Sequence, residues 1–287
     1  MCPDPRAGVR ALAESARRKE SPLVVGLDPV PSRFPGHLRD LPEARATLEF
    51  CLGILEAVEA FTAAVKPQAA FFERLGPGGM EVYAALISAA RDLGLPVIAD
   101  VKRGDIGPVA AAYAEAHLDL YGASSVTVNP YMGADAVLPF LEETRRQNAG
   151  GGVFVLVATS NPSSDVFQNA TDPPLHDLAS RLVADLGRRD GDYLDAGAVV
   201  GATRPAVGCR VRELLPDALF LCPGYGAQGG GAGEILPLLD AGGAGVLVNS
   251  SRAILYAHEN TPGDYREAAC EAARGARDDL LHAGVGF

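Results

Sequence analysis

The sequence predicts a (β/α)8 barrel, the TIM-barrel fold class, formed by one domain over residues 1–287. Short runs of aliphatic and β-branched residues recur along the chain and alternate with longer Ala-, Leu-, Glu- and Arg-rich segments. The runs are continuously apolar, which is typical of parallel strands covered on both faces. Eight strand–helix units in about 250 residues is the count of this barrel.

Eight runs are predicted as the barrel strands. In chain order they are 23–28, 63–68, 96–102, 125–130, 152–159, 198–203, 218–224 and 245–250. Between them, segments such as "ATLEFCLGILEAVEAF" and "GMEVYAALISAARDLG" have apolar residues at three- and four-residue spacing, which predicts amphipathic helices. A doubly wound sheet is the alternative, but no glycine-rich dinucleotide fingerprint follows the first run.

Composition excludes several classes of protein. A net charge of −11 argues against nucleic acid as a partner, because binding to phosphate backbones needs a dense cationic surface. The five cysteines form no CxxC pair and no close group with histidine, so we expect neither a disulfide scaffold nor a metal site. The first twenty residues lack a long apolar stretch, and no window is apolar enough for a membrane span. We therefore expect a cytoplasmic protein.

Charged residues collect where the predicted strands end. Asp28 ends the first run, Lys66 lies near the end of the second, and Asp100 and Lys102 end the third. Asp100 and Lys102 project to the same side of their strand, where a buried carboxylate and ammonium are costly unless they are paired. Since strand ends of a barrel converge on one mouth, the sequence predicts an active site there.

A second cluster follows the seventh and eighth runs. The segment "CPGYGAQGGGAGE" contains Gly226 and Gln228, and "VNSSRAI" contains Arg252. Glycines let backbone N–H groups approach an anion, and an arginine adds a bidentate cation. Because the loops after strands 7 and 8 commonly bind phosphate in this fold, we predict a phosphate site. The polar stretch 160–176 is predicted as a long loop after strand 5.

The segment "DVKRGDIG" resembles the D-x-K-x-x-D-I signature of the orotidine 5′-phosphate decarboxylases. Its "KRGD" form is similar to the longer bacterial subgroup of that family. The blocks "VKPQAAFFERLG", "VNPYMG", "PGYGAQGG" and "VNSSRAIL" resemble other blocks of the subgroup in the same order. The resemblance covers residues from about 20 to about 270, and it implies a homodimeric barrel.

This resemblance implies decarboxylation of orotidine 5′-monophosphate to UMP without metal or organic cofactor. Lys66, Asp100, Lys102 and Asp105 match the alternating charged tetrad of the family. Lys102 would stabilise the negative charge that develops at C6 of the pyrimidine and then protonate that carbon. Asp105 would reach the active site of the neighbouring subunit.

The resemblance also implies the substrate contacts. Asp28 and Lys66 would meet the ribose hydroxyls, Ser160 the pyrimidine edge, and Gln228 and Arg252 the phosphate. Val109 stands where many relatives carry a hydroxyl residue, so one ribose contact of the family is not expected here.

Two other functions remain open on the sequence. A metal-dependent sugar-phosphate decarboxylase or synthase could use the same barrel and motif, although those cousins tend to carry a carboxylate where this chain has Lys66. A nucleotide-binding protein without catalysis would bind UMP but not turn over substrate. Insensitivity to EDTA and turnover of orotidine monophosphate separate these cases.

Overall fold

The computed structural model describes residues 8–146, 151–226, 231–261 and 263–287, and in this part of the chain eight parallel strands form one sheet. The strands are β1 (Leu23–Leu27), β2 (Ala64–Pro67), β3 (Ile98–Arg103), β4 (Ser125–Val128), β5 (Gly152–Ala158), β6 (Ala196–Val200), β7 (Phe220–Pro223) and β8 (Val246–Ser250). Their order around the sheet is β2-β1-β8-β7-β6-β5-β4-β3. Parallel bridges from Val65 to Val97 and from Gln68 to Asp100 join β2 to β3, which closes the predicted barrel.

Helices surround the barrel and cover one of its ends. They are α1 (Gly8–Lys19), α2 (Gly36–Arg39), α3 (Glu43–Val58), α4 (Ala69–Glu73), α5 (Pro77–Asp92), α6 (Gly107–Ala114), α7 (Ala134–Arg146), α8 (Ser164–Gln168), α9 (Leu175–Leu186), α10 (Pro205–Leu214), α11 (Arg252–Leu255) and α12 (Tyr265–His282). Proline occupies the first turn of α5, α6 and α10, where its missing N–H costs no helical hydrogen bond. A π-helical segment, Glu115–Leu120, continues α6.

The strands divide the apolar side chains into two layers, because neighbouring residues of a strand face opposite sides. Val25, Val65 and Val97 belong to the large core between the strands and the outer helices. Val24 and Ile98 face the barrel interior instead, in a smaller cluster with residues of α1. Helix α1 therefore closes the amino-terminal end of the barrel, which we call the floor. The carboxyl-terminal end, called the mouth, is the end where the predicted site residues lie.

Two connections differ from the simple repeat. In the described part of the seventh connection, 3-10 turns at Ala232–Glu234 and Leu236–Leu238 stand in place of an α-helix. Pro237 and the short apolar stretches around it do not offer the length that an α-helix needs. The stretch 160–176, predicted as a loop, contains α8 and the first residues of α9.

In the described ranges, every helix is too short or too polar to cross a membrane. The prediction of one domain over residues 1–287 stays a prediction.

Candidate active site

Three of the predicted catalytic residues meet at the mouth of the barrel. Lys66 lies on β2 and Asp100 on β3, each two residues beyond a position that faces the interior. The alternation of the strands therefore turns these two side chains inward. Lys102 also lies on β3, and its ion pair with Asp100 brings its side chain to the same place. Lys66 Nζ lies 2.6 Å from Asp100 Oδ2, and Lys102 Nζ forms an ion pair with Asp100 Oδ1. Sequence reasoning predicted this cluster, and the structure brings it together.

Asp100 accepts four hydrogen bonds, two on each carboxylate oxygen. Oδ2 accepts from Lys66 and, at 3.2 Å, from the side-chain amide of Gln68. Oδ1 accepts from Lys102 and, at 3.0 Å, from the hydroxyl of Thr127 on β4. A carboxylate has about four acceptor positions, so this one is fully used by the protein. Its orientation is therefore fixed before any ligand binds.

The ionisation of this cluster follows from its burial and its charges. Burial raises the pKa of Asp100, but the positive charges of Lys66 and Lys102 outweigh that effect and hold the pKa well below its usual range. Burial lowers the pKa of Lys66, and the negative charges of Asp100 and Asp28 more than compensate, so that pKa stands above its ordinary value. Lys66 and Asp100 therefore stay charged at neutral pH.

Lys102 differs from its two partners in exposure and in backbone. Its side chain is 44% exposed, compared with 6% for Lys66 and 7% for Asp100. Its φ angle is 47°, a left-handed conformation that is unusual for a residue with a side chain. The mouth thus presents one ammonium group that is anchored on Asp100 and still accessible to a ligand.

Asp28 and Asn249 add acceptors to the same end of the barrel. Asp28 follows β1, and its backbone carbonyl accepts a 2.9 Å hydrogen bond from the Tyr256 hydroxyl. Asp28 Oδ1 and Asn249 Oδ1 are buried, and in the described ranges neither has a hydrogen-bond partner. Buried acceptors without donors are rare, so these two atoms mark places where a bound hydroxyl or amide could donate.

The predicted phosphate residues lie beyond β7 and β8. Arg252 begins α11 and is exposed, and Gly226, with φ of 75°, follows β7 in a conformation that suits glycine. Gln228 lies outside the described residues.

Ser160, the predicted pyrimidine contact, follows β5 and packs against Gly201, where an added Cβ would lie 2.9 Å from the Ser160 Cβ. A cavity of about 540 Å³ opens beside it, lined by Leu156, Thr159 and Gln168 among others.

Asp105 is the predicted tetrad member that the structure does not bring to the other three. Its carboxylate accepts a 2.8 Å hydrogen bond from the Ile106 N–H. Among the described residues it makes no ion pair or hydrogen bond with Lys66, Asp100 or Lys102. The surface around it is apolar, since Ile106 is 50% exposed and Val109 48%.

Sequence reasoning missed Gln68 and Thr127, the two neutral ligands of the Asp100 carboxylate. Both occupy inward positions near strand ends, so strand alternation from Lys66 and from Ser125 could have identified them.

The described ranges contain no group of three His, Cys, Asp or Glu side chains that could hold a metal ion.

Comparison with known proteins identifies the family. The sequence profile described as "Orotidine 5'-phosphate decarboxylase / HUMPS family" matches residues 21–267. A curated orotidine 5′-phosphate decarboxylase from Deinococcus radiodurans is 42% identical over 273 residues, which are 94% of this chain and 96% of that protein. One from Rhodopirellula baltica is 43% identical over 261 residues, 84% of this chain and 86% of the relative.

A solved structure agrees with these sequence matches. The Leishmania donovani OMP decarboxylase superposes with a TM-score of 0.78 and 32% identity, covering 96% of this chain and 97% of that one. The barrel thus matches a solved structure over nearly the whole length of both chains. The chain belongs to the orotidine 5′-phosphate decarboxylase / HUMPS family.

Proposed function

We propose that Lys66, Asp100 and Lys102 form the catalytic centre of this enzyme and that Lys102 donates a proton to C6 of the pyrimidine. The reaction is the decarboxylation of orotidine 5′-monophosphate to UMP and CO₂, a step of pyrimidine biosynthesis. One observation supports these catalytic roles most directly. The buried Asp100 carboxylate is held between two ammonium groups at the barrel mouth, and one of them remains accessible.

The chemistry needs a fixed positive charge. Loss of CO₂ leaves an electron pair in an sp² orbital at C6, outside the π system of the ring, so the ring itself cannot delocalise it. Two unit charges about 4 Å apart attract by roughly 4 kcal/mol at an effective dielectric of about 20. Enzymes lower barriers by about 8–23 kcal/mol, so preorganisation and phosphate binding must supply the rest.

The choice of lysine supports proton donation. The chain has 25 lysines and arginines together, and lysine occurs only at positions 19, 66 and 102. Two of these three lie at the mouth, while arginine serves as the cation almost everywhere else. An arginine guanidinium does not release its proton in proteins, whereas a lysine ammonium does. A chain that strongly prefers arginine therefore keeps lysine where a proton must be transferred.

Asp100 acts as a fixed charge in this proposal. Its four acceptor positions are filled by Lys66, Gln68, Lys102 and Thr127, so it has none left for the substrate. Its role is to orient Lys102 and to place negative charge beside the carboxylate that departs.

The substrate contacts are proposals of the same kind. Asp28 Oδ1, buried and without a protein donor in the described ranges, would accept a hydrogen bond from the ribose. Ser160 would contact the pyrimidine edge, and Gly226, Gln228 and the exposed Arg252 would hold the phosphate. The phosphate lies far from C6, so its binding energy can be used to position the reacting carbon.

The test is a spectrophotometric assay of orotidine monophosphate with the purified protein, with and without EDTA. We expect turnover to UMP that EDTA does not change. Turnover that EDTA abolishes, or turnover of a sugar phosphate instead, would favour the metal-dependent alternative. UMP binding without any turnover would favour a nucleotide-binding protein and contradict the proposal.

We also propose that the protein is a cytoplasmic homodimer. In this dimer Asp105 of each chain completes the active site of its partner. In the described ranges Asp105 makes no contact with Lys66, Asp100 or Lys102 of its own chain. Exposed apolar side chains lie on the segments that follow β3 and β4, with Tyr131 76% exposed and Met132 49%. Apolar surface of this kind marks interaction sites. In a two-fold dimer each chain would donate the same carboxylate to its neighbour.

Mixing two inactive variants tests the shared site. Lys102→Ala and Asp105→Ala subunits should form heterodimers in which one site has lost both residues and the other retains both. Re-equilibrated equal mixtures should recover about a quarter of wild-type activity, since half of the dimers are mixed and each has one intact site. Heterodimers seen by mass spectrometry without restored turnover would place Asp105 in its own chain's site.

A further inference from the structure

The end of β3 contains a bulge opposite Thr127. Between two paired positions, β3 has three residues, 100–102, where β4 has the single residue Thr127. A bulge of this kind interrupts the ladder and leaves backbone N–H groups of the longer strand without a strand partner. Buried N–H groups must find another acceptor.

The hydroxyl of Thr127 supplies that acceptor. Thr127 Oγ1 lies 3.0 Å from the backbone nitrogen of Val101 and 2.9 Å from that of Lys102, and it accepts a hydrogen bond from each. The same hydroxyl donates to Asp100 Oδ1 at 3.0 Å. A hydroxyl has one proton and two acceptor positions, so all of its capacity is used. Thr127 is buried and has no group left for substrate.

These three bonds control both ends of the Lys102 side chain. The bond from the Lys102 N–H holds the backbone at φ of 47°, a conformation that a residue with a side chain rarely adopts without support. The bond to Asp100 Oδ1 fixes the carboxylate oxygen that the Lys102 ammonium contacts. One hydroxyl therefore sets where the side chain begins and where its charged end rests.

We propose that Thr127 is a positioning residue of the decarboxylation, acting through Lys102 and Asp100 without touching the substrate. The inference rests on the proposed role of Lys102 as the proton donor. Catalytic groups need placement within a fraction of an ångström, so loss of this hydroxyl slows the chemical step. It leaves binding of the nucleotide nearly unchanged, because the ribose and phosphate contacts come from other strands.

The experiment compares Thr127→Val, which keeps the shape of the side chain and removes the hydroxyl, with Thr127→Ser, which keeps the hydroxyl. Hydrogen bonds to charged groups are strong enough that we expect kcat of Thr127→Val to fall about tenfold to a hundredfold. KM and the Kd for UMP should change by less than about threefold, and Thr127→Ser should recover most of kcat. Ser125→Ala is the matched control, since Ser125 lies two residues earlier on the same strand face and its buried hydroxyl has no partner in the described ranges.

The outcomes separate this inference from the function. Wild-type protein that does not decarboxylate orotidine monophosphate would overturn the function itself. Active wild-type protein with a folded Thr127→Val variant of normal kcat would overturn only the positioning role. Should Thr127→Val not fold, Thr127→Ala takes its place, and the proposal then requires a loss of kcat in Thr127→Ala that Thr127→Ser does not show. Equal losses in Thr127→Ser and Thr127→Ala would also overturn it.

Discussion

The mouth and the floor of the barrel are built from the same strands and the same inward faces, yet their chemistry is opposite. At the floor, the inward side chains of Val24, Ala64 and Ile98 pack with Val9 and Leu12 of α1 in a buried apolar cluster. At the mouth, two residues further along β2 and β3, the inward side chains are Lys66 and Asp100. Strand alternation alone does not distinguish the two ends.

This contrast shows which end of a strand can hold charged side chains. The floor is covered by α1, so a charged side chain there would be buried without water or a partner, at a cost of several kcal/mol. The mouth is open to ligand and solvent, and its buried charges, Lys66 and Asp100, are paired with each other. Stability should therefore depend mainly on the floor, and activity on the mouth.

The largest effect is expected from Lys102→Ala at the mouth. Removing the group that stabilises the carbanion and protonates it should lower kcat by at least about a thousandfold. Asp100 keeps Lys66, Gln68 and Thr127 as partners, so the protein should still fold and bind UMP. Lys102→Arg should be almost as inactive, because its guanidinium does not give up a proton. The measurements are steady-state kinetics and calorimetric titration of UMP.

Lys19→Ala is the matched control for these variants. Lys19 is the chain's remaining lysine, and it pairs with Glu59 at the end of α1. Its removal should leave kcat unchanged. A Lys102→Ala variant that keeps more than about a tenth of wild-type kcat would contradict the assigned role.

The same division explains what could be predicted from the sequence. Charged residues at inward positions near strand ends, such as Lys66 and Asp100, are recognisable because charge is rare inside a barrel. Thr127 was not recognised, because a threonine in a β-branched strand fits any buried position until its hydrogen bonds are known. The helix α8 within residues 160–176 was missed because Asn, Pro, Ser and Asp favour turns in the absence of tertiary contacts.

Asp105 shows a different limit. The motif predicted that it belongs to the tetrad, but one chain cannot display a site that two chains would share. Its place in the partner's site therefore stays a prediction, as do the roles of Gln228 and of Val109.

At the floor, Leu12→Ala should have the second largest effect, on stability. Leu12 is fully buried against the barrel interior, and large-to-small changes in such positions cost about 2–5 kcal/mol. The kcat of the folded fraction should not change, because Leu12 packs in the floor cluster with Val24 and Ile98, away from the charged residues of the mouth. Chemical denaturation and kinetics on the same sample measure both. Leu281→Ala, at a 38% exposed position, is the control and should cost less than about 0.5 kcal/mol.

Back at the mouth, Arg252→Ala should weaken binding of UMP by about tenfold to a hundredfold, because charge-assisted contacts with phosphate are worth about 1.5–3 kcal/mol. Uridine, which has no phosphate, should bind to the variant and to wild type equally. Calorimetric titration of both ligands checks the difference. Equal losses for UMP and uridine would place Arg252 away from the phosphate.

The smallest effect concerns a titratable group that lies at neither end. Burial, and to a lesser degree the positive charge of Arg103, lowers the pKa of His117 to about 4. His117 lies in the π-helical segment, and its Nδ1 is 3.4 Å from the Tyr83 hydroxyl. Because the folded pKa is below the ordinary 6.5, the unfolded chain takes up a proton first as the pH falls. The stability that neutral His117 allows is therefore complete above pH 6.5 and decreases toward pH 4.

We expect His117 to account for a loss of about 1.5 kcal/mol in the free energy of unfolding between pH 6.5 and 5, since each unit of pKa shift corresponds to about 1.4 kcal/mol and the unfolded histidine is already half protonated at pH 6.5. His117→Gln should reduce the slope of unfolding free energy against pH by close to one proton in that range. His282→Gln, at an exposed position on α12, should leave the slope as in wild type. Denaturant titrations at several pH values decide the question. A His117→Gln variant with the wild-type slope would show that the acid sensitivity arises elsewhere.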